Sequence, residues 1–187
     1  MTKFEYLSVL TSIIIGLALA NLLSGAARLI QLRVRVKPHA TTLCWMAMLF
    51  LANIQIWWVA FERREANEFS FFAFLLYLMM PIATFLVSFL VLPDLGDEDQ
   101  VDLAKNFDGN RPWFFGLLGL VPAVSLVEEW THDGSIPLDA DAAFRFVFLG
   151  LCVLAACVRN ARFQFWNALF VLVGFVAYVS VLFLQLR

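Results

Sequence analysis

The sequence predicts an all-α integral membrane protein with six transmembrane helices, and three observations carry that expectation. Of 187 residues, 62% are apolar and 15% charged, against roughly 45–50% and about 25% in an ordinary soluble domain. Six stretches are long and apolar enough to cross a hydrocarbon core of ~30 Å at about 1.5 Å per residue. None of them alternates with period two, as the strands of a membrane barrel do. A chain in lipid that forms no barrel must satisfy its backbone within helices. The mean hydropathy of +0.82 agrees. These numbers exclude a soluble enzyme, a disulfide-stapled secreted domain and a basic nucleic-acid binder.

The first span is expected from Phe4 to Ile30. Its Lys3 and the Ala18-Leu19-Ala20 pattern resemble a secretory leader. Glu5 offsets Lys3, however, and the apolar run continues past Asn21, so a membrane span is the reading. After the basic stretch Arg28–Lys37 and Pro38, a second span runs from Thr42 to Phe61. A third covers Phe69 to Leu92 and stops at Pro93-Asp94, and a fourth covers Pro112 to Trp130. The fifth and sixth cover Ala140 to Val158 and Phe163 to Leu186. What remains is short connections, so the chain is one transmembrane domain.

Two connections are longer than turns. Residues 93–111 carry Asp94, Asp97, Glu98, Asp99, Asp102 and Asp108. Val101, Leu103, Ala104 and Phe107 in the same stretch suit a short amphipathic helix. The acidic run lacks the ligand spacing of a calcium loop and reads as solvated. The second long connection, Trp130 to Asp139, is punctuated by Gly134 and Pro137.

Lysine and arginine set the expected orientation. The first, third and fifth loops hold Arg28, Arg33, Arg35, Lys37, Lys105, Arg111, Arg159 and Arg162, eight of the thirteen cations. That bias puts the first loop in the cytoplasm of a bacterial inner membrane and both termini in the periplasm, with Arg63-Arg64 opposing it.

Candidate functional residues are few. On the first span, Ser8, Ser12, Gly16, Ala20 and Ser24 follow one another at steps of four, with Thr11 and Asn21 beside them. Small residues at that spacing allow close helix approach, so the stripe reads as a packing seam. Its hydroxyls and amide also suit the lining of a polar path, with Ser8, Thr11, Ser12 and Asn21 around a shared axis. Asn53 and Gln55 lie within the second span, where an amide needs a partner, and Asn21 is the expected partner of Asn53. Pro81 and Pro122 fall mid-span and free the carbonyls of Tyr77 and Leu118, which predicts kinks. No ionisable residue is expected at mid-span, which argues against proton-coupled transport.

Glu128 and His132, four apart, are the only pair with metal-ligand spacing. Two ligands fall short of a zinc site, so no metal and no cofactor are expected. Cys44, Cys152 and Cys157 show no paired spacing and read as packed side chains. Nucleophile-elbow, HExxH and phosphate-loop motifs are missing.

Several stretches carry a resemblance. They are Phe4-Glu5-Tyr6-Leu7-Ser8-Val9-Leu10, the exit Leu22–Arg28, Gln55-Ile56-Trp57-Trp58, Leu92-Pro93-Asp94, and Arg111 to Phe115 with its Trp113. Together they are similar to a widespread group of small uncharacterised bacterial multi-pass membrane proteins. The resemblance spans all but the last third of the chain and implies no activity.

The functional expectation is an oligomeric membrane protein that forms a channel or another polar-lined permeation path. A non-catalytic accessory or assembly protein is the alternative, and an intramembrane enzyme using Glu128 and Glu129 is the third. The bilayer and further copies of the chain are the expected partners, and nucleic acid is not one.

Overall fold

The computed structural model describes residues 3–62, 71–93, 100–135 and 139–182. Arg63, Arg64, the acids at 94, 97, 98 and 99, Pro137 and the end of the expected sixth span lie outside the described residues.

The chain folds into α1 (Lys3–Gln31), β1 (Val36–Lys37), α2 (Ala40–Glu62), α3 (Phe71–Leu90), β2 (Val101–Asp102), α4 (Leu103–Asp133), α5 (Ala140–Cys157) and α6 (Ala161–Leu182). Five of the six helices contain a stretch long and apolar enough to cross a membrane, and α3 adds the shorter apolar segment Phe74–Leu90. The protein is therefore an all-α, multi-pass membrane-type bundle. The principal helix packings are α3 on α4 and α1, α4 on α5, α2 on α6, and α1 on α2.

The two ends of the bundle differ. At one, the ribbon end, β1 pairs parallel with β2, Val36 opposite Val101 and Lys37 opposite Asp102. This ties the first loop to the third. The opposite, carboxylate end gathers the close of α4, the start of α5 and the last turns of α6.

The fourth helix departs from expectation. It begins at Leu103 rather than at Pro112, so the short amphipathic segment and the membrane span form one helix of 31 residues. Asp102 starts it, its carboxylate accepting from the backbone N–H of Ala104 at 3.0 Å and Lys105 at 3.1 Å. Such a cap satisfies N–H groups that the first turn leaves open. Leu103 and Phe107 are buried beneath this new segment. Asn106 and Asn110 reach back to the carbonyl of Leu90 at 3.4 and 3.5 Å, covering the end of α3. Gly134 ends the helix in the left-handed region at φ 70°, its N–H bonding to the Trp130 carbonyl. Only a residue without Cβ adopts that conformation freely.

The core runs through the middle of the bundle. Trp45 packs edge-on against Phe114 and Phe115 at ring-centre distances of 5.4 and 5.3 Å. Leu49, Ala52, Val87, Leu118, Cys152, Ala168 and Val171 continue it. Both proline-containing helices stay continuous through Pro81 and Pro122.

Candidate functional site

The small-residue stripe of α1 divides between two faces. Ser12, Gly16, Ala20 and Ser24 are exposed on the outside of the bundle, with Ser8 half-buried at the start of the row. Thr11 turns inward and is 1% exposed. Asn21 also turns inward, its Nδ2 donating to the backbone carbonyl of Ser88 at 2.8 Å and lying 3.3 Å from Ser88 Oγ. The two residues are thus taken up by the interior, and the row at steps of four is left open. A Cβ added to Gly16 would meet nothing within 4 Å. Gly25, by contrast, lies so close to Leu92 that a Cβ there would collide with the leucine side chain.

Asn53 is fully buried on α2. Its Nδ2 donates to the Leu49 carbonyl at 2.8 Å, and its Oδ1 accepts from Thr84 Oγ1 at 3.0 Å. The expected Asn21–Asn53 pair does not form, because α3 stands between them and supplies a hydroxyl to each. Thr84 and Ser88 are four apart on one face of α3, and that spacing in an otherwise apolar helix is the signal that would have found them.

The densest polar cluster lies at the carboxylate end. Arg145 extends from the second turn of α5 with only 12% of its side chain exposed. Its Nη2 is 2.6 Å from Asp141 Oδ2 and 2.8 Å from Glu129 Oε2, and its Nη1 donates to Ser125 Oγ at 3.1 Å. Tyr178 of α6 donates its hydroxyl to the other oxygen of Asp141 at 2.5 Å. The side chain of Gln55 bonds to the same tyrosine. One chain of polar contacts therefore links α2, α6, α5 and α4. Charges held this deep need close pairing to offset lost hydration. Gln55 also lines a groove of about 290 Å³ between α2 and α6, with Leu51, Trp58, Phe175 and Ser180 among its walls.

Arg145 was legible only as a residue near a span end. Asp141, four residues earlier on the same helix, was within reach of a spacing argument, but Glu129 and Ser125 come from α4 and could not be read from spacing. Glu128 and the backbone of His132 fall in the last turns of α4, and the His132 side chain lies outside the described residues. Among the described residues, no three histidine, cysteine or carboxylate side chains gather as a metal site.

At the ribbon end, Gln164 of α6 is buried and donates Nε2 to the carbonyls of Ala155 at 2.8 Å and Val158 at 2.6 Å. It closes the C-terminal end of α5, where helix carbonyls lack partners. His39, just before α2, lies 3.0 Å from Thr42 Oγ1 and stacks obliquely on Phe107 at 5.8 Å. Burial holds its pKa below the ordinary value, although Asp108 and Asp102 pull it up. Asp102 is held below the usual carboxylate range, mainly by its bond from the Lys105 backbone N–H.

Comparison with protein families, with curated proteins and with solved structures gives no match to this chain.

Proposed function

We propose that this protein is a self-assembling, non-catalytic membrane protein whose copies associate through the outer face of α1. The observation that carries the reading is the open row Ser12, Gly16, Ala20 and Ser24. Beside that groove runs a ridge of Val9, Ile13 and Leu17, also at steps of four and also exposed. Ridges and grooves of the same i±4 type interlock when two helices cross at about −50°. A helix that carries both is complementary to its own copy, the requirement of a two-fold interface. Lipid gives helices little hydrophobic reason to associate, so close backbone approach over small residues supplies the attraction. The ribbon end, with its excess of lysine and arginine, faces the cytoplasm of a bacterial inner membrane in this reading.

Permeation is the second reading, and the serines on the same face favour it. A ring of copies joined through α1 would bring Ser12 and Ser24 around its axis, where hydroxyls can replace part of an ion's hydration shell.

Native mass spectrometry of the wild type and Gly16→Leu in mild detergent tests the first reading. An oligomer that falls to monomers in the variant, with helicity unchanged, is the expected outcome. A monomeric wild type would overturn it. Solute flux into vesicles separates the two readings: flux abolished by Ser12→Leu in an intact oligomer favours permeation, and impermeable vesicles favour assembly alone.

A further inference from the structure

The outward face of α6 is graded from charge to hydrocarbon. Arg162, Trp166 and Phe170 follow one another at steps of four from the ribbon end, and Val173 continues the row three residues on. All four are exposed, the last three at 64%, 63% and 60%. Residues at those spacings share one helix face. From Arg162 to Val173 the helix rises about 16 Å, close to half of a hydrocarbon core of ~30 Å. Polarity along the row therefore changes over the depth of one bilayer leaflet. A guanidinium comes first, an indole one turn in, then a phenyl ring and an aliphatic side chain. Indole rings settle at the headgroup boundary, and phenylalanine and valine in the acyl region.

A second cation stands beside the first. The connection from α5 to α6 consists of Val158, Arg159 and Asn160. Asn160 is committed to the start of α6, its Oδ1 accepting from the backbone N–H of Arg162 at 2.9 Å and of Phe163 at 3.3 Å. This cap fixes the turn that carries both arginines. Arg159 is exposed as well, and neither arginine side chain has an ion pair or hydrogen bond among the described residues. No aspartate or glutamate follows Asp141 in the sequence, and Asp141 lies at the far end of α5, bonded to Arg145. The cations near the ribbon are differently placed. Lys37 stands 3.8 Å from Asp102, and the strand that carries Asp102 follows the acidic run at 94–99. On α5, Val153 and Leu154 are exposed one turn before the connection, so apolar surface flanks the two charges on both helices.

We infer that the α5–α6 turn and the outer row of α6 bind an anionic phospholipid from the leaflet at the ribbon end. Arg159 and Arg162 hold the phosphate, for which a planar guanidinium supplies paired N–H donors. Trp166 packs at the level of the glycerol backbone, and an acyl chain lies along Phe170 and Val173. Charge complementarity selects this occupant. Two cations without neighbouring acids answer a net-negative headgroup, whereas a zwitterionic lipid brings its own cation to the same place. An apolar helix from another chain would cover the row and leave both arginines unanswered. The surface lies on α5 and α6 and uses none of α1, so its test stands apart from that of self-assembly.

The test is native mass spectrometry of the full chain in mild detergent, titrated with phosphatidylglycerol or with phosphatidylcholine of the same acyl chains. Wild type is expected to retain the anionic lipid at about 10–30-fold lower concentration than the zwitterionic one. Arg159→Gln combined with Arg162→Gln abolishes that preference. Each single variant lowers it in part and serves should the double variant fail to fold. Arg33→Gln combined with Arg35→Gln, exposed cations of the first loop, keeps it. Trp166→Ala weakens retention of both lipids and leaves the preference unchanged. Inorganic phosphate, at an ionic strength matched by sodium chloride, does not displace the lipid. Equal retention of the two lipids by wild type would overturn the inference, as would a preference that survives the loss of both arginines. A preference lost equally in the first-loop variant would overturn it too, since the charge of the whole end would then be the cause. Displacement by inorganic phosphate would replace the lipid by a soluble phosphate ligand.

Discussion

At the carboxylate end Arg145 meets Asp141 and Glu129 within 2.6–2.8 Å and reaches Ser125 as well. At the ribbon end Arg111 is buried more completely and bonds to no described residue. The two arginines lie in the same helical scaffold and differ in what surrounds them. The first joins α4 to α5 and, through Asp141 and Tyr178, to α6. The second has a buried Nε with no hydrogen-bond partner among the described residues. A paired buried charge acts as a fastener between helices, whereas a cation without a close partner ties nothing together.

The largest test of this contrast removes each arginine in turn. Arg145→Ala leaves Asp141 and Glu129 without their cation, and stability is expected to fall by about 3 kcal/mol. Arg111→Met removes a cation with no partner among the described residues, and stability is expected to hold or rise. Chemical denaturation of both variants checks the pair. Equal losses at the two sites would erase the distinction.

A smaller test stays within the ribbon end. Gln164→Leu strips the carbonyls of Ala155 and Val158 of their donor and is expected to cost about 1–3 kcal/mol. Asn167→Leu replaces an amide whose two atoms have no partner among the described residues, and is expected to be near neutral. Hydrogen exchange at the last turn of α5 should accelerate only in the Gln164 variant.

The smallest effect is titration at the ribbon end. His39 and Asp102 both have folded pKa values below their ordinary 6.5 and 3.8. In each case the unfolded chain takes up its proton first as pH falls, so the stabilising contribution is present above the ordinary value and lost below it. Stability should decline modestly as pH drops through 6.5, and again below 3.8. His39→Gln should remove the first decline and leave the second.

Much of the architecture was legible because lipid imposes it. Apolar runs longer than about 20 residues leave a backbone little choice but helix. The start of α4 was legible only in part: Leu103, Ala104 and Phe107 suited a short amphipathic helix, but Pro112 read as the first residue of a separate span. The deciding contacts, Asp102 over the first turn and Asn106 and Asn110 over the end of α3, are tertiary or capping effects that periodicity does not carry. The stripe on α1 was visible at once from its steps of four. Its division was not, because Thr11 and Asn21 turn inward only when α3 and the rest of the bundle are in place. Asn53 announced a need for a partner but not which helix would answer it. Gln164 and Asn167 escaped notice, and Arg111 was read only as a loop cation, because each lies near a span end, where polar residues ordinarily reach water.

The length of α4 has a consequence for bilayer thickness. Its 31 residues extend about 46 Å at the usual rise, well beyond a hydrocarbon core of ~30 Å. Tilting it enough to immerse the whole would need about 50°, outside the range of about 0–40° that membrane helices adopt. Its ends must therefore stand clear of the hydrocarbon, and the ribbon rides on one of them. Thickening the bilayer would draw more of α4 into lipid and pull the ribbon, the Asp102 cap and the Arg111 region toward the headgroups. The helix is thus a built-in ruler, and membranes of different depth would hold its ribbon end at different heights.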